Sequence, residues 1–173
     1  DNSADGLVPG RHYSIASSKD AGAACAMGAL NGSYREQVAV NVVGNFIYGK
    51  PYNLREVVLS GDDTNLWTLY DDGTGAASQG YLYAAIGNGL KCRTDNTSND
   101  NGKWTISVTE GVATIVSQIS GTDVSNTIKY NAGSSRFSCD TPSSGMSLVY
   151  LFMKADETDY EFYSNTTFDD LTI

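Results

Sequence analysis

The sequence is poor in the residues that most catalytic and metal sites need. It holds one histidine, His12, among 173 residues, so a triad or dyad that depends on histidine would have to be built around it. No nucleophile elbow, zinc-protease motif or phosphate-binding loop is present. We therefore predict that the chain is not an enzyme and that it has no catalytic residue, no metal site and no cofactor.

Long apolar runs and an excess of positive charge are also missing. No stretch approaches the roughly 20 apolar residues that a membrane-spanning helix needs, which predicts no membrane insertion. The chain carries 11 Lys and Arg against 20 Asp and Glu, a formal net charge of −9. Such a chain repels phosphate backbones, which argues against nucleic acid as a partner. The polar start of the sequence, DNSADGLVPG, shows no signal peptide, so for an exported protein this would be the mature or a trimmed form.

The cysteines are too few and too irregular for a disulfide framework. There are three, Cys25, Cys92 and Cys139, and an odd number cannot pair completely. No two of them have the Cys-x-x-Cys spacing of a structural zinc site or a redox dithiol. We predict buried thiols that behave as small apolar side chains.

Helical periodicity is nearly absent, and alternation of apolar and polar residues takes its place. Glycine is abundant at 18 residues, and pairs such as Asp72-Gly73 and Asn88-Gly89 mark turns. We therefore predict a single all-β domain over residues 1–173. The predicted strands cover residues 12–17, 24–29, 37–43, 45–48, 56–60, 66–70, 80–85, 89–93, 103–109, 112–118, 126–131, 136–139, 147–154 and 159–163.

A weak internal repeat predicts how these strands are arranged. Each unit begins with an apolar anchor, then has a cysteine, and later a strand with alternating apolar residues. The anchors are Tyr13, Leu82 and Ile128, the cysteines are Cys25, Cys92 and Cys139, and the later strands begin at Trp67, Trp104 and Val149. Three units of about four strands predict a β-trefoil, a barrel with a pseudo-threefold axis. The alternative is a chance match between short strands.

The predicted repeats have unequal lengths. They cover about residues 10–78, 79–122 and 123–165. The first is longer, and an insertion centred near residues 44–60 would account for its excess length.

Several segments resemble a β-trefoil-like module of secreted multidomain proteins from gut anaerobic bacteria of the Bacteroidetes type. They are HYSIASSKD, CAMGAL, GYLYAAIGNGLKC, GKWTISVTEGVATIVSQ, NTIKYNAGSSRFSC and LVYLFMK. The similarity is clearest over residues 80–154 and weaker over residues 10–72. It implies export, a position at the cell surface and attachment to other domains of the same polypeptide, and it supplies no catalytic residues. The Gln-x-Trp motif of ricin-type lectins is missing.

Tyrosine, with 11 residues, points to a surface for a ligand. Tyr81 and Tyr83 flank the predicted inward residue of their strand, so both should face outward. Lys129 takes the place of Tyr83 in the third unit, and Asn88 and Asn131 lie just beyond the opening strands. Aromatic rings cover the apolar face of a sugar and amides bond its hydroxyls, so we predict these five residues to bind the ligand. The alternative is that the tyrosines only cover the barrel wall.

The sequence leaves three functions open. The first is a non-catalytic, lectin-like binding module, secreted or at the cell surface, with a glycan or a protein as its ligand. The second is a protease inhibitor of the Kunitz type, which would insert Lys50 or Arg55 from an exposed loop within residues 45–63. The lack of a disulfide framework argues against it. The third is a structural domain that binds a neighbouring domain.

Overall fold

The computed structural model describes residues 6–18, 23–73, 79–95, 100–119, 124–155 and 159–163. These residues form fifteen β-strands and one short 3-10 turn at Asp100–Gly102, which confirms the all-β prediction. No helix in the described part is long and apolar enough to cross a membrane. The strands are β1 (His12–Ser18), β2 (Ala24–Asn31), β3 (Tyr34–Ala39), β4 (Val42–Val43), β5 (Phe46–Ile47), β6 (Glu56–Asp62), β7 (Leu66–Asp71), β8 (Gly80–Ala85), β9 (Gly89–Arg93), β10 (Trp104–Thr109), β11 (Val112–Ser117), β12 (Thr127–Asn131), β13 (Arg136–Asp140), β14 (Tyr150–Lys154) and β15 (Tyr160–Phe162).

Six of the strands pair in a closed antiparallel ring. The order around the ring is β1, β6, β7, β10, β11 and β14, and β14 pairs again with β1. The link between β11 and β14 is a bridge from Ala113 to Val149, the residue just before β14. Because a closed sheet has no open edge along these pairs, the ring satisfies its own backbone groups.

Three hairpins, β2–β3, β8–β9 and β12–β13, join the ring through their first strands, which pair with β1, β7 and β11. The hairpins also contact one another. Strand β3 pairs with β13, the Leu90 N–H donates to the Ser33 carbonyl at 2.8 Å, and the Cys139 N–H donates to the Asn88 carbonyl at 3.0 Å. The hairpins therefore form one connected layer.

The ring and the hairpins share one apolar core. Trp67 and Trp104 are completely buried and lie directly opposite each other on β7 and β10. Tyr13, Leu82 and Ile128, the three predicted anchors, belong to the same buried cluster. Burial of each large side chain contributes on the order of 3 kcal/mol, so this core is the main source of stability.

The pairing places the first predicted repeat out of step with the other two. Leu82 and Ile128 lie in the first strands of hairpins, and their cross-strand partners are Cys92 and Cys139. Tyr13 lies instead in a ring strand, β1, and β2 holds the corresponding hairpin position. The predicted equivalence of Tyr13 with the other two anchors is therefore wrong. Alternation identifies a strand but not its partner, which explains the error.

The additional segment in the first part of the chain does not include all of residues 44–60, near which the insertion was predicted to be centred. Strand β6, Glu56–Asp62, is a full member of the ring. The extra structure is the short β4–β5 pair, which joins β15 where Ile47 lies opposite Tyr160. Here a second, smaller apolar cluster covers the outside of β14 with Tyr150, Phe152 and Phe162.

The three cysteines, all of them among the described residues, form no disulfide. Cys25 and Cys139 are buried as predicted, whereas Cys92 is only half-buried. Burial raises the pKa of the Cys139 thiol, and the nearby Asp140 carboxylate raises it further. Cys139 therefore stays protonated and acts as a small apolar side chain.

Candidate functional site

A polar cavity of about 500 Å³ opens where the start of β1, the loop from β5 to β6, the end of β7 and the end of β14 meet. We call it the Glu56 pocket. Its charged and titratable lining residues are His12, Lys50, Arg55, Glu56, Asp72 and Lys154, and residues 52–54 and Gly73 complete it. The ring brings these distant residues together because β1 pairs with β6 on one side and with β14 on the other.

The pocket is organised around the carboxylate of Glu56. Lys50 Nζ donates to Glu56 Oε1 at 2.6 Å, and Lys154 Nζ lies 3.6 Å from the same oxygen. His12 Nδ1 lies 2.9 Å from the other oxygen, Oε2. The Glu56 side chain is only 3% exposed, whereas those of Lys50 and Lys154 are 37% and 26% exposed. One buried carboxylate thus anchors two ammonium groups that still face solvent.

The positive surroundings lower the pKa of Glu56. Burial is the largest single influence and would raise this pKa. The hydrogen bond and charge of Lys50, with smaller contributions from the Tyr160 hydroxyl and Lys154, together outweigh burial. The pKa of Tyr160 moves upward, because of burial first and the Glu56 carboxylate second. Glu56 is therefore ionised and Tyr160 is protonated at neutral pH.

Arg55 forms a second cationic wall of the pocket. Its Nη1 lies 3.9 Å from Asp71 Oδ1 and packs on Gly73, where a Cβ atom would collide with it. Asp71 also accepts a hydrogen bond from Arg35 Nη1 at 2.5 Å, and both of these side chains are completely buried. The Gly73 N–H donates to Asp71 Oδ1 at 2.9 Å, which fixes the backbone under Arg55.

The charged residues that the structure describes around the pocket sum to a positive value. The four cations are Arg35, Lys50, Arg55 and Lys154, and the three carboxylates are Glu56, Asp71 and Asp72. One positive charge is left over with His12 neutral, although the whole chain carries −9. His12 Nδ1 lies 3.7 Å from Asp72 Oδ2 as well as 2.9 Å from Glu56 Oε2.

Aromatic side chains stand at the rim of the pocket and beside it. Tyr52 lines the pocket and is 98% exposed. Tyr48, two residues before Lys50, is 46% exposed and stacks on Phe46 with 5.6 Å between ring centroids. The pocket therefore combines charged groups inside with an exposed aromatic ring at its edge.

The two predicted ligand-binding tyrosines lie elsewhere, on β8. Tyr81 and Tyr83 are half-buried and alternate with buried residues, which confirms that both face away from the core. The Tyr81 ring packs edge-on against Tyr70 with 4.9 Å between centroids. The Arg93 guanidinium lies 4.3 Å from the centroid of the Tyr83 ring. Each ring therefore already has a neighbour within the fold.

The other three predicted binding residues use polar groups in hydrogen bonds to the protein itself. Lys129 is buried, and its Nζ donates to the Pro142 and Ser144 carbonyls at 2.8 and 3.1 Å. Asn131 Oδ1 accepts the Ser134 N–H at 3.0 Å in a tight turn. These contacts hold the hairpin and its following loop together.

Asn88 belongs to the turn of the β8–β9 hairpin and has a positive φ of 65°. Its Nδ2 donates to Ser125 Oγ at 3.1 Å and to Asp140 Oδ1 at 3.2 Å. The structure thus brings Asn88 next to β13, the strand that pairs with the strand of Lys129. Asn88 joins two hairpins and has no place in the Glu56 pocket.

Sequence reasoning did not assemble the Glu56 pocket. It considered His12 only as the residue that a catalytic triad or dyad would need, and Lys50 and Arg55 only as residues of an inhibitory loop. Of the other pocket residues, Asp72 comes shortly after the predicted strand 66–70, and Lys154 is the last residue of the predicted strand 147–154. The one local signal was the run of lysine, tyrosine, arginine and glutamate within residues 50–56.

Taken together, the fold and the site describe an all-β domain with a polar surface pocket. No family model matches the sequence, and no curated protein matches it. Solved structures with a similar fold are known. The crystal structure of the lysenin pore superposes with a TM-score of 0.55 at 15% identity, covering 86% of this chain and 48% of that chain. The complex of lysenin with phosphocholine gives a TM-score of 0.57 at 14% identity, covering 87% and 47%. The chain therefore shares its fold with about half the length of lysenin.

Proposed function

We propose that the chain is a non-catalytic binding module that recognises carbohydrate through the Glu56 pocket. The observation that carries this proposal is a polar cavity of about 500 Å³ with the exposed ring of Tyr52 at its rim. Its volume lies within the range of small-molecule sites, roughly 300–1,000 Å³. A sugar has an apolar face for an aromatic ring and hydroxyls for charged and amide side chains, so it suits this lining.

The state of Glu56 supports binding without catalysis. A general acid needs a pKa raised towards neutrality, as in the paired carboxylates of glycosidases. The pKa of Glu56 moves in the opposite direction, and its carboxylate is held by Lys50. Glu56 and Asp72 both lie in the pocket, but Glu56 would be a poor proton donor there.

The pairing pattern supports the proposal that the fold is a β-trefoil. The six-stranded ring and the three hairpins divide the described chain into three successive units with the same strand order. These units would run over residues 12–62, 66–109 and 112–154. Each unit contributes two ring strands and one hairpin, as a pseudo-threefold barrel requires. These boundaries differ from those predicted from the sequence because the second and third units begin with the ring strands β7 and β11, whereas the predicted repeats began close to the hairpin strands β8 and β12.

The geometry favours binding over protease inhibition. An inhibitor of that type would display Lys50 or Arg55 at the tip of an exposed loop. Lys50 Nζ is instead held 2.6 Å from Glu56, and Arg55 packs on Gly73 with only 17% of its side chain exposed. Residues 56–62 of the predicted loop, residues 45–63, belong to ring strand β6. Neither basic residue is positioned to enter the pocket of a protease.

A second candidate ligand is phosphocholine, which is bound in one of the lysenin structures. It carries a phosphate and a quaternary ammonium group. Cations and the aromatic ring of Tyr52 border the same pocket here, and aromatic faces attract quaternary ammonium groups. The fold likeness alone does not favour this ligand, so phosphocholine belongs in the test as a competitor to glycans.

The setting in which such a module would work is part of the proposal. The resemblance to modules of secreted bacterial proteins favours a location outside the cell or on its surface, next to other domains of one polypeptide. A single shallow site binds weakly, and several linked modules would raise the overall affinity.

A glycan array tests the proposed function. The purified chain should bind a defined set of glycans, and Tyr52→Ala should reduce that binding by about tenfold because it removes an exposed aromatic contact. Tyr83→Ala is the matched control, since Tyr83 lies outside the pocket, and it should leave binding unchanged. Binding that survives Tyr52→Ala but is lost in Tyr83→Ala would favour the site predicted from the sequence. Silence across the array, with phosphocholine bound instead, would overturn the carbohydrate proposal.

A further inference from the structure

We infer that the Glu56 pocket selects glycans that carry an acidic group, a carboxylate or a sulfate ester, and that Lys50 and Lys154 bind this group. The inference rests on the proposed function and names the class of its ligand. It starts from the excess of cations around the pocket and from the way the two lysines are held.

The two ammonium groups share a single carboxylate oxygen. Lys50 Nζ lies 2.6 Å and Lys154 Nζ 3.6 Å from Glu56 Oε1. Each ammonium has three N–H donors, so one shared acceptor leaves most of their donors facing the pocket. Both side chains are partly exposed, at 37% and 26%. An anionic oxygen of a ligand would be able to accept from both lysines at once.

Glu56 serves as a positioning residue in this arrangement. Lysine side chains are flexible, and fixing them costs conformational entropy. The buried Glu56 carboxylate holds both ammonium groups near one point before a ligand arrives, which reduces the cost of ordering them on binding. The lowered pKa of Glu56 agrees with this arrangement, because burial would raise it and the hydrogen bonds of Lys50 and Tyr160 with the charges of Lys50 and Lys154 outweigh burial.

Arg55 adds charge on the adjacent wall. Its guanidinium lies 3.9 Å from Asp71, which also pairs with Arg35 at 2.5 Å, and 17% of the Arg55 side chain is exposed. Arg55 lines the pocket together with the two lysines. Asp72, 45% exposed beside His12, and Asn53 supply groups for the neutral hydroxyls of the same sugar.

The remainder of the chain would repel an acidic ligand. With a net charge of −9, non-specific attraction of a sulfated or uronate-containing glycan is excluded as a source of binding. Any preference for acidic glycans must therefore come from a local site, and it should weaken with salt because the lysines are partly exposed.

The test compares pairs of oligosaccharides that differ only in the acidic group. One pair consists of a neutral and a uronate-containing oligosaccharide, and the second consists of a neutral and a sulfated one. Binding to the whole chain is measured by calorimetry. We expect at least one acidic member to bind at least about tenfold more tightly than its neutral partner, as charge-assisted hydrogen bonds predict. The two pairs distinguish a carboxylate from a sulfate ester.

Variants with single substitutions test whether the preference for acidic oligosaccharides arises in the Glu56 pocket. Lys154→Gln and Lys50→Gln should each bring the acidic ligand close to the affinity of the neutral one. Lys154→Arg should keep the preference because it keeps the charge. Lys103→Gln makes the same charge change outside the pocket and should have no effect. Thermal unfolding of each variant shows that the fold is intact.

The outcomes separate the inference from the proposed function. Neutral and acidic members that bind equally well would overturn the inference and leave carbohydrate binding standing. A preference that survives both Lys50→Gln and Lys154→Gln would also overturn it. If no oligosaccharide of either kind binds, the proposed function fails and the inference fails with it.

Discussion

The protein contains two kinds of buried charge that differ in their access to water. In the first kind, the Arg35–Asp71 pair is sealed, with both side chains completely buried. In the second, Glu56 is equally buried, but its partners Lys50 and Lys154 reach solvent. Arg35 and Asp71 therefore have no exposed group that a ligand could contact. The group formed by Glu56, Lys50 and Lys154, which we call the open cluster, presents its N–H donors in a cavity. The access of the partners to solvent, rather than the charge itself, distinguishes the structural ion pair from the proposed binding site.

The largest expected effect comes from breaking the sealed pair. Arg35→Met should destabilise the protein by about 3–5 kcal/mol, because it leaves the Asp71 carboxylate buried with less compensation. Chemical denaturation measures this loss. The double variant Arg35→Met/Asp71→Leu should recover a large part of it, because an apolar pair replaces both charges. A loss below about 1 kcal/mol in the single variant would mean that Arg35 is not sealed in solution.

The strands were predictable from the sequence. The burial of the Arg35–Asp71 pair and the grouping of two lysines around Glu56 were not. Alternation marked nearly every strand because ring and hairpin strands have one buried face. It did not reveal that Tyr13 lies in a ring strand, whereas Leu82 lies in the first strand of a hairpin. It also did not show that Lys129 is buried, since a lysine between apolar neighbours looks like an outward residue. Pairing partners and burial depend on contacts between distant segments, which a local pattern does not contain.

The next largest effect should come from Lys129, which is buried like Arg35 and donates its ammonium group to two backbone carbonyls. Lys129→Met should cost about 1.5–3 kcal/mol, because the Pro142 and Ser144 carbonyls lose a charged donor. Denaturation with urea measures the change. Glycan binding should persist in this variant, since Lys129 lies outside the Glu56 pocket. A variant that keeps its stability but loses binding would instead support the site predicted from the sequence.

A smaller effect, about 1–2 kcal/mol at neutral pH, is expected for Glu56→Gln, since water is able to solvate the lysines that lose their partner. The effect depends on pH. The folded pKa of Glu56 lies below the ordinary value of 4.5. Its ionised form therefore stabilises the protein above that value, and this stabilisation is lost as the pH falls through the lower folded pKa.

Unfolding measured between pH 7 and pH 3 checks the sign of this dependence. Wild type should lose more stability on acidification than Glu56→Gln does. Glu110→Gln, in the exposed turn between β10 and β11, is the control and should follow the wild-type curve. Identical pH dependence in wild type and Glu56→Gln would contradict a lowered pKa.

The smallest effect on stability is expected for Lys50→Gln. A partly exposed ion pair contributes about 0–1 kcal/mol, so thermal unfolding should hardly change. The affinity for an acidic glycan should fall nevertheless, which separates the binding role of Lys50 from any structural one. A destabilisation as large as that of Arg35→Met would show that the open cluster is in fact structural.

Nuclear magnetic resonance provides the most direct measurement, because it reports which residues a ligand touches. A ¹⁵N-labelled sample would be titrated with the sulfated and the uronate-containing oligosaccharides. The amide signals of Lys50, of residues 52–56, of Asp72 and Gly73, and of Lys154 should shift together with increasing ligand. Shifts confined to the β8 strand around Tyr81 and Tyr83, with the signals of the Glu56 pocket unchanged, would contradict the account.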